Sequence, residues 1–203
     1  MKPVHCLGSI LASLGILCSS TLAAEKLAPF KVDFTSAKLE KRRAERGDWK
    51  FSEGVARCTQ DDALYKKNKD HGPVVWYDVP HQDVTIHFAF KPEGCKTFVF
   101  TANGKEGHVF RFVTSATGTS LRGFPPEDKD HKSIALGKPG GPKLNSGEWT
   151  DVTVELRGTK ATVRIGKDYT AAVEHSSLAR AKTNIGLGFS FGTLSVKDFS
   201  ITP

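Results

Sequence analysis

The sequence has few cysteines, no internal repeats and almost no helical periodicity, and each shortage excludes a class of protein. Its four cysteines include no CxxC pair, so the usual ligand spacing of a structural zinc site is absent. The lack of apolar residues at helical spacing argues against a helical bundle and against an alternating α/β fold. Beyond residue 24 no apolar run is long enough to cross a bilayer as a helix.

The first 24 residues have the composition of a secretory signal peptide. Lys2 gives a basic start, and residues 6–17 are apolar but short for a membrane span. Residues 21–24 offer small side chains to a signal peptidase. We therefore expect residues 1–24 to be removed and residues 25–203 to form one exported domain, periplasmic or extracellular.

Two of the cysteines, Cys6 and Cys18, lie in the predicted signal peptide, which leaves Cys58 and Cys95 in the exported domain. An even pair in an exported chain is consistent with a disulfide, which would contribute roughly 3–4 kcal/mol by restricting the unfolded chain. Two unpaired thiols on separate strands are the alternative, because sequence does not fix the distance between them. Both interpretations stay open at this stage.

The formal net charge is +7, with the basic residues scattered and densest at residues 41–43 and 66–69. In an exported protein such a charge favours an acidic glycan or an envelope surface over nucleic acid as partner. A solvated basic surface with no specific partner is the alternative interpretation.

Short runs with an apolar residue at every second position dominate the rest of the chain and predict half-buried β-strands. Gly158-Thr159 supplies a tight turn between two such runs, residues 149–157 and 160–165. Many short strands with glycine-rich turns predict an all-β fold, a two-layer antiparallel β-sandwich. The other runs are residues 84–90, 97–101, 108–113, 185–191 and 194–201.

Three segments do not alternate. Residues 36–46 are charged and predict one or two helical turns with Ser36 as the N-cap. Residues 61–72 are polar and predict a loop, and residues 123–145 are rich in Pro, Gly, Lys and Asp and predict a long surface excursion.

The phase of the alternation assigns each strand residue to a face. On the middle strands, the residues that alternate with the predicted buried layer are a mixture of charged, hydroxyl and small apolar groups. This mixture fits either a shallow groove or the ordinary solvated side of a sheet. These residues are His87, Lys91, Thr97, Val99, Thr101, Val109, Arg111 and Val113. The predicted buried layer comprises Phe88, Phe90, Phe98, Phe100, Phe110, Phe112, Val154, Leu156, Val163, Ile165, Leu187, Phe189 and Phe199.

Five segments resemble concanavalin A-like, laminin-G-type jelly rolls, and the resemblance is closest to the bacterial exported 3-keto-disaccharide hydrolase-like domains. These segments are residues 48–55 (DWKFSEGV), 83–88 (DVTIHF), 147–152 (GEWTDV), 185–189 (IGLGF) and 196–201 (VKDFSI). The resemblance implies a jelly-roll fold and carbohydrate as the ligand class. It also implies, as an alternative function, a carbohydrate-active hydrolase or lyase of that type.

The sequence contains few features that indicate a catalytic site. The N-S-G-I-x-x-R segment of that family has no counterpart in residues 95–111, and adjacent carboxylates in loops do not supply the spaced pair that glycoside hydrolysis needs. We therefore expect no cofactor, with calcium at the loop carboxylates Asp61 and Asp62 as the alternative. The histidines show no metal-ligand spacing.

The candidate ligand-binding residues are Arg111, His87, Trp76 and Arg122. Arg111 lies between two inward phenylalanines, so its guanidinium points to the opposite face, where it would suit sugar hydroxyls or a uronate carboxylate. His87 has the same phase on a neighbouring predicted strand. Trp76, with Tyr65 and Tyr77, would stack on sugar rings unless it belongs to the core. Pairing of Arg111 with an acidic neighbour such as Glu155 is the structural alternative.

Overall fold

The computed structural model of the protein describes residues 27–35, 39–126 and 132–203. They form two antiparallel β-sheets that pack face to face, which confirms the predicted sandwich. The predicted signal peptide, with Cys6 and Cys18, lies outside the described residues, so its removal stays a prediction. Within the described ranges no helix has the length and apolar character that a membrane span requires.

The first sheet has eight strands and is called the eight-stranded sheet. The short strand β1 (Phe30–Lys31) pairs with its C-terminal strand through Phe30 and Ile201. The others, in spatial order, are β13 (Tyr169–Glu174), β12 (Lys160–Ile165), β11 (Thr150–Arg157), β6 (Val84–Glu93), β15 (Thr193–Thr202), β4 (Val55–Thr59) and β3 (Lys50–Ser52).

The second sheet is called the seven-stranded sheet, and all of its pairings are antiparallel. Its strands, in spatial order, are β10 (Ile134–Gly140), β9 (Gly118–Gly123), β8 (Gly107–Ser115), β7 (Thr97–Gly104), β14 (Asn184–Ser190), β5 (Val74–Tyr77) and β2 (Arg42–Glu45). Strands β6 and β7 are consecutive in the chain, yet each belongs to a different sheet.

Phenylalanines from the two sheets meet in the centre of the sandwich. The rings of Phe90 on β6 and Phe98 on β7 stack with their centroids 4.1 Å apart, and those of Phe88 and Phe100 lie 6.1 Å apart. Each fully buried ring contributes roughly 1.5–3 kcal/mol to folding. All thirteen residues of the predicted buried layer are buried, so the alternation assigned that face correctly.

Turns and one β-bulge set the register of the strands. The predicted Gly158-Thr159 turn joins β11 to β12, with Gly158 at a φ of 52°. Between β7 and β8 the register shifts: Ala102 pairs with Phe110 and Asn103 with His108, so Val109 is an extra residue. Val109, predicted on the solvated side or in a shallow groove, is instead fully buried.

The three segments without alternation contain more regular structure than expected. The predicted N-cap Ser36 lies outside the described residues, and residues 42–45 form strand β2 instead of a helical turn. The predicted loop at residues 61–72 contains the helix α1 (Asp62–Lys67), which begins after Asp61, whose side chain accepts a hydrogen bond from the Leu64 amide. The predicted surface excursion at residues 123–145 contains strand β10.

The thiols of Cys58 and Cys95 are both free, which matches the interpretation as unpaired thiols and not the disulfide, although Cys95 lies between β6 and β7 rather than on a strand. The Cys95 Sγ lies 3.0 Å from the Thr193 carbonyl oxygen, to which it donates, whereas Cys58 lies on β4 and is buried. Burial raises the pKa of the Cys58 thiol to about 12 and that of the Cys95 thiol to about 11. Both are therefore protonated and weakly nucleophilic at neutral pH.

A histidine and a lysine are buried together at one end of the sandwich. The backbone of His81 exchanges two hydrogen bonds with that of Lys182, and the two side chains are 7% and 1% exposed. The Lys182 ammonium donates to the carbonyl oxygens of Gln82 and Leu178. The His81 Nδ1 donates to the Val79 carbonyl oxygen at 2.7 Å, while its Nε2 has no partner among the described residues.

Candidate functional site

One residue from each strand of the seven-stranded sheet forms a continuous row across its outer face. The register of the six strand pairs places these residues directly opposite one another. Their neighbours in sequence, such as Phe110, Phe112 and Ile185, point into the core. In spatial order the row comprises Ala135, Arg122, Arg111, Thr101, Gly186, Trp76 and Arg43.

Trp76 lies flat on the sheet because the residue beside it is glycine. A Cβ atom at Gly186 would lie 2.2 to 2.9 Å from three atoms of the six-membered ring of Trp76, so that ring covers the β14 backbone. The indole Nε1 donates to the Glu45 carboxylate at 3.1 Å. Trp76 is half-buried, so it belongs to the outer face and the interpretation as a core residue is wrong.

Arg111 is held in place by neutral partners. Its Nε donates to Thr101 Oγ1 at 3.3 Å and its Nη2 donates to His108 Nε2 at 2.7 Å. Its guanidinium also lies 5.4 Å from the centroid of the Phe124 ring. Burial, and then the positive charge of Arg122, lower the pKa of Arg111 from its ordinary value.

The suggested partner Glu155 forms an ion pair with Arg164 in the eight-stranded sheet. The alternative interpretation, in which Arg111 pairs with Glu155, is therefore wrong.

His108 orients Arg111 through a chain of hydrogen bonds. Its Nδ1 donates to Asn103 Oδ1 at 2.6 Å, and the Asn103 amide donates to Asn184 Oδ1 at 2.8 Å. With Nδ1 protonated, Nε2 is free to accept from Arg111. Burial, and then the charge of Arg111, lower the pKa of His108 to about 4, so the ring is neutral and an acceptor at neutral pH. Sequence reasoning missed His108, because simple alternation gives it the phase of Phe110 and Phe112, which face the core.

These side chains line a groove of about 580 Å³ on the outer face. Arg111, His108, Trp76 and Gly186 line it together with Tyr65 of helix α1. Asp70 is the one carboxylate among the described residues that line it. The remaining lining residues are Arg46, His71, Gly72, Pro73, Val74, Thr97, Val99, Thr101, Gly188, Phe189 and Ser190.

The groove brings together two of the four predicted ligand-binding residues, Arg111 and Trp76, and Arg122 is the cross-strand neighbour of Arg111. The prediction that His87 shares this groove is wrong. His87 is on β6, where it pairs with Thr153 and Ser200, so it lies on the eight-stranded sheet. Ligand binding by the other three residues stays a prediction.

Of the two tyrosines considered for stacking, Tyr65 lines the groove. Tyr77 is fully buried, with its ring stacked on Phe199 at 3.8 Å. Tyr77 is therefore a core residue and unavailable to a ligand.

Residues 188–192 match the GxSxG pattern, but their structure is not a nucleophile elbow. Ser190 ends strand β14, and the next element is strand β15 rather than a helix. The Ser190 hydroxyl shares a hydrogen bond of 2.7 Å with the Thr97 hydroxyl. No histidine bonds to Ser190 in the described part of the chain, so the motif lacks the geometry of an activated serine.

Metal ligands do not converge in the described ranges: no three His, Cys, Asp or Glu side chains lie together. Asp61 is occupied as the N-cap of α1, and Asp62 Oδ1 accepts a hydrogen bond from Gln60. Calcium at these two residues stays an untested alternative.

No protein-family model and no curated protein sequence matches this chain. Solved structures do match it by fold. The carbohydrate-binding module CBM66 from Bacillus subtilis has a TM-score of 0.59 and 9% identity, over 80% of this chain and 96% of that one. The CBM2 module of the evolved Dit protein of Lactobacillus casei BL23 phage J-1 has a TM-score of 0.62 and 10% identity, over 85% and 93% of the two chains.

The Crh5 transglycosylase shares the fold with a TM-score of 0.61 and 12% identity, over 86% of this chain and 84% of that one. Identities this low show a common fold and no more. The jelly-roll sandwich is thereby confirmed, while membership of the 3-keto-disaccharide hydrolase-like family stays a prediction.

Proposed function

We propose that the protein is an exported glycan-binding protein whose ligand lies in the groove of the seven-stranded sheet. The observation that carries the proposal is the flat indole of Trp76 on Gly186, with the oriented guanidinium of Arg111 in the same groove. Carbohydrate sites combine a flat apolar surface with a few fixed polar groups that bind hydroxyls. Two of the structures that share the fold are carbohydrate-binding modules, which supports the proposal at the level of fold.

Replacing Trp76 with alanine is expected to weaken glycan binding by about tenfold or more, because the ligand loses its stacking surface. A glycan array with residues 25–203 would first identify ligands, and calorimetry would then compare the variants. Trp149→Ala is the matched control, because Trp149 is a 38% exposed tryptophan near the start of β11 in the other sheet. Equal losses in both variants, or no loss with Trp76→Ala, would contradict the proposed site.

Export is the second part of the proposal and rests on the composition of residues 1–24. Expression of the full chain in a bacterium is expected to yield a mature protein that begins at Glu25. N-terminal sequencing of the periplasmic or culture fraction tests this. An intact Met1 on protein that stays in the cytoplasm would contradict it.

A carbohydrate-active hydrolase is the second candidate, favoured by Asp70 and His71, an acid and a histidine that line the groove next to each other in sequence. The His71 Nδ1 donates to the carbonyl oxygens of Asn68 and Lys69, which leaves Nε2 as an acceptor. His108 has both ring nitrogens engaged within the protein and is a poor proton acceptor for a substrate. Release of reducing ends from a bound glycan, lost in Asp70→Asn, would favour the hydrolase over simple binding.

A further inference from the structure

Two arginines are neighbours on adjacent strands at one end of the row across the seven-stranded sheet. Arg111 on β8 and Arg122 on β9 are directly paired across the strands, so their Cβ atoms are about 5 Å apart. Like charges directly opposite each other destabilise a sheet. Such a pair therefore costs stability unless an anion lies near it.

The protein does not supply that anion within its described residues. The ion pairs found there involve other basic side chains, and none includes Arg111 or Arg122. The partners of Arg111 are a hydroxyl and a neutral imidazole, and Arg122 Nη1 donates to the Ser133 hydroxyl at 2.8 Å. Both guanidiniums keep N–H groups that no described residue accepts.

Arg111 is also pre-oriented, which distinguishes it from a mobile surface arginine. His108 and Thr101 accept hydrogen bonds from the guanidinium, and the centroid of the Phe124 ring lies 5.4 Å from it. His108 is itself fixed by Asn103. Orientation by other side chains lowers the conformational entropy lost on binding, as expected for a residue that recognises a ligand group.

The Arg111 guanidinium and the Trp76 ring lie over two adjacent strands, β7 and β14. Arg111 Nε bonds to Thr101, the Trp76 ring covers Gly186, and Thr101 and Gly186 are directly paired. Adjacent strands are about 5 Å apart, so one sugar ring on Trp76 would extend its edge toward the guanidinium.

We infer that the glycan bound in this groove contains a hexuronic acid, whose ring stacks on Trp76 and whose carboxylate binds Arg111. The inference rests on the proposed glycan-binding function and specifies its ligand. A guanidinium presents planar, parallel N–H donors that match a carboxylate. Arg122 adds a second positive charge for the next carboxylate along the chain.

The test compares acidic oligosaccharides with the same oligosaccharides after carboxyl reduction, which converts each –COO⁻ into –CH₂OH and leaves the ring unchanged. Oligogalacturonate, oligomannuronate and hyaluronan oligomers serve as probes, with calorimetry at low and high salt. At least one acid is expected to bind about tenfold or more tightly than its reduced form. High salt is expected to reduce that difference.

Arg111→Gln is expected to bring the acid close to the affinity of its reduced form. Arg157→Gln is the matched control and is expected to leave the difference unchanged. Arg157 lies on the eight-stranded sheet, where it donates to Thr85 Oγ1 and the Leu156 carbonyl oxygen. Thermal melting of both variants shows whether each is folded.

The outcomes separate the inference from the function on which it rests. Binding of neutral glycans with no preference for the acids overturns the uronate inference and leaves glycan binding intact. Dextran sulfate that binds as tightly as the best uronate also overturns it, because the groove then recognises negative charge in general. Binding of no probe, and of no glycan on the array, overturns the proposed function and the inference with it.

Discussion

Replacing Gly186 with alanine is expected to abolish binding in the groove and to leave the sandwich folded. The new Cβ would lie 2.2 Å from the nearest Trp76 ring atom, so the indole must leave the sheet. Its hydrogen bond to Glu45 is then lost, which costs about 1 kcal/mol of stability. The displaced ring would also obstruct the groove, so the loss of affinity should exceed that of Trp76→Ala. Calorimetric titration and thermal melting measure the two effects.

Gly188→Ala is the control for this substitution. Gly188 is two residues further along β14 on the same face, and the three atoms nearest to its added Cβ belong to Pro73 and Val74 rather than Trp76, the closest being the Pro73 carbonyl oxygen at 3.2 Å. Gly188 also lines the groove, so binding is expected to weaken in this variant, but less than in Gly186→Ala, because Trp76 keeps its place on the sheet. Loss of binding in Gly188→Ala and not in Gly186→Ala would show that the position of Trp76 is not what the ligand requires.

His81 alone is expected to lower the free energy of unfolding by roughly 3 kcal/mol between pH 6.5 and pH 4, because the unfolded chain takes up a proton that the buried imidazole does not. Burial first, and then the charge of Lys182, lower the pKa of His81 to about 4 from the ordinary 6.5. Between these values the unfolded chain binds a proton that the folded chain does not, so stability decreases as the pH falls. Urea unfolding at half-unit pH intervals would measure the slope.

His81→Asn is expected to flatten that slope. The asparagine amide can replace the Nδ1 donor to the Val79 carbonyl oxygen and cannot be protonated. Because His108 titrates in the same direction and the same window, part of the slope should remain. An unchanged slope in His81→Asn would contradict the explanation.

Alternation along the chain predicted which residues are buried and that Arg111 points outward, because both depend on local strand geometry. It did not predict the sheet to which each strand belongs. His87 and Arg111 have the same phase, but β6 pairs with β11 and β15 while β7 and β8 pair in the other sheet. Pairings between residues distant in sequence decide this, and no local pattern records them.

The other differences have local causes. Helix α1 has six residues, too few for a hydrophobic period, although Asp61 before it and Lys66 and Lys67 in its last turn are helix-terminal signals. The bulge at Val109 changes the phase within one strand, which simple alternation does not anticipate. The same bulge places His108 opposite Asn103, so it forms part of the site that sequence reasoning missed.

The centre of the ligand face is built from a strand that contributes almost no side chains to it. Gly186 and Gly188 give β14 no side chain between Trp76 on one side and Thr101 and Val99 on the other, and the Trp76 ring covers the backbone at Gly186. The side chains that bind the ligand therefore lie on the flanking strands, and the depth of the groove depends on two glycines that have no side chain. A side chain added at either position would change the shape of this face without altering any hydrogen bond of the sheet. The same two positions offer a protein engineer a simple means of reshaping the face.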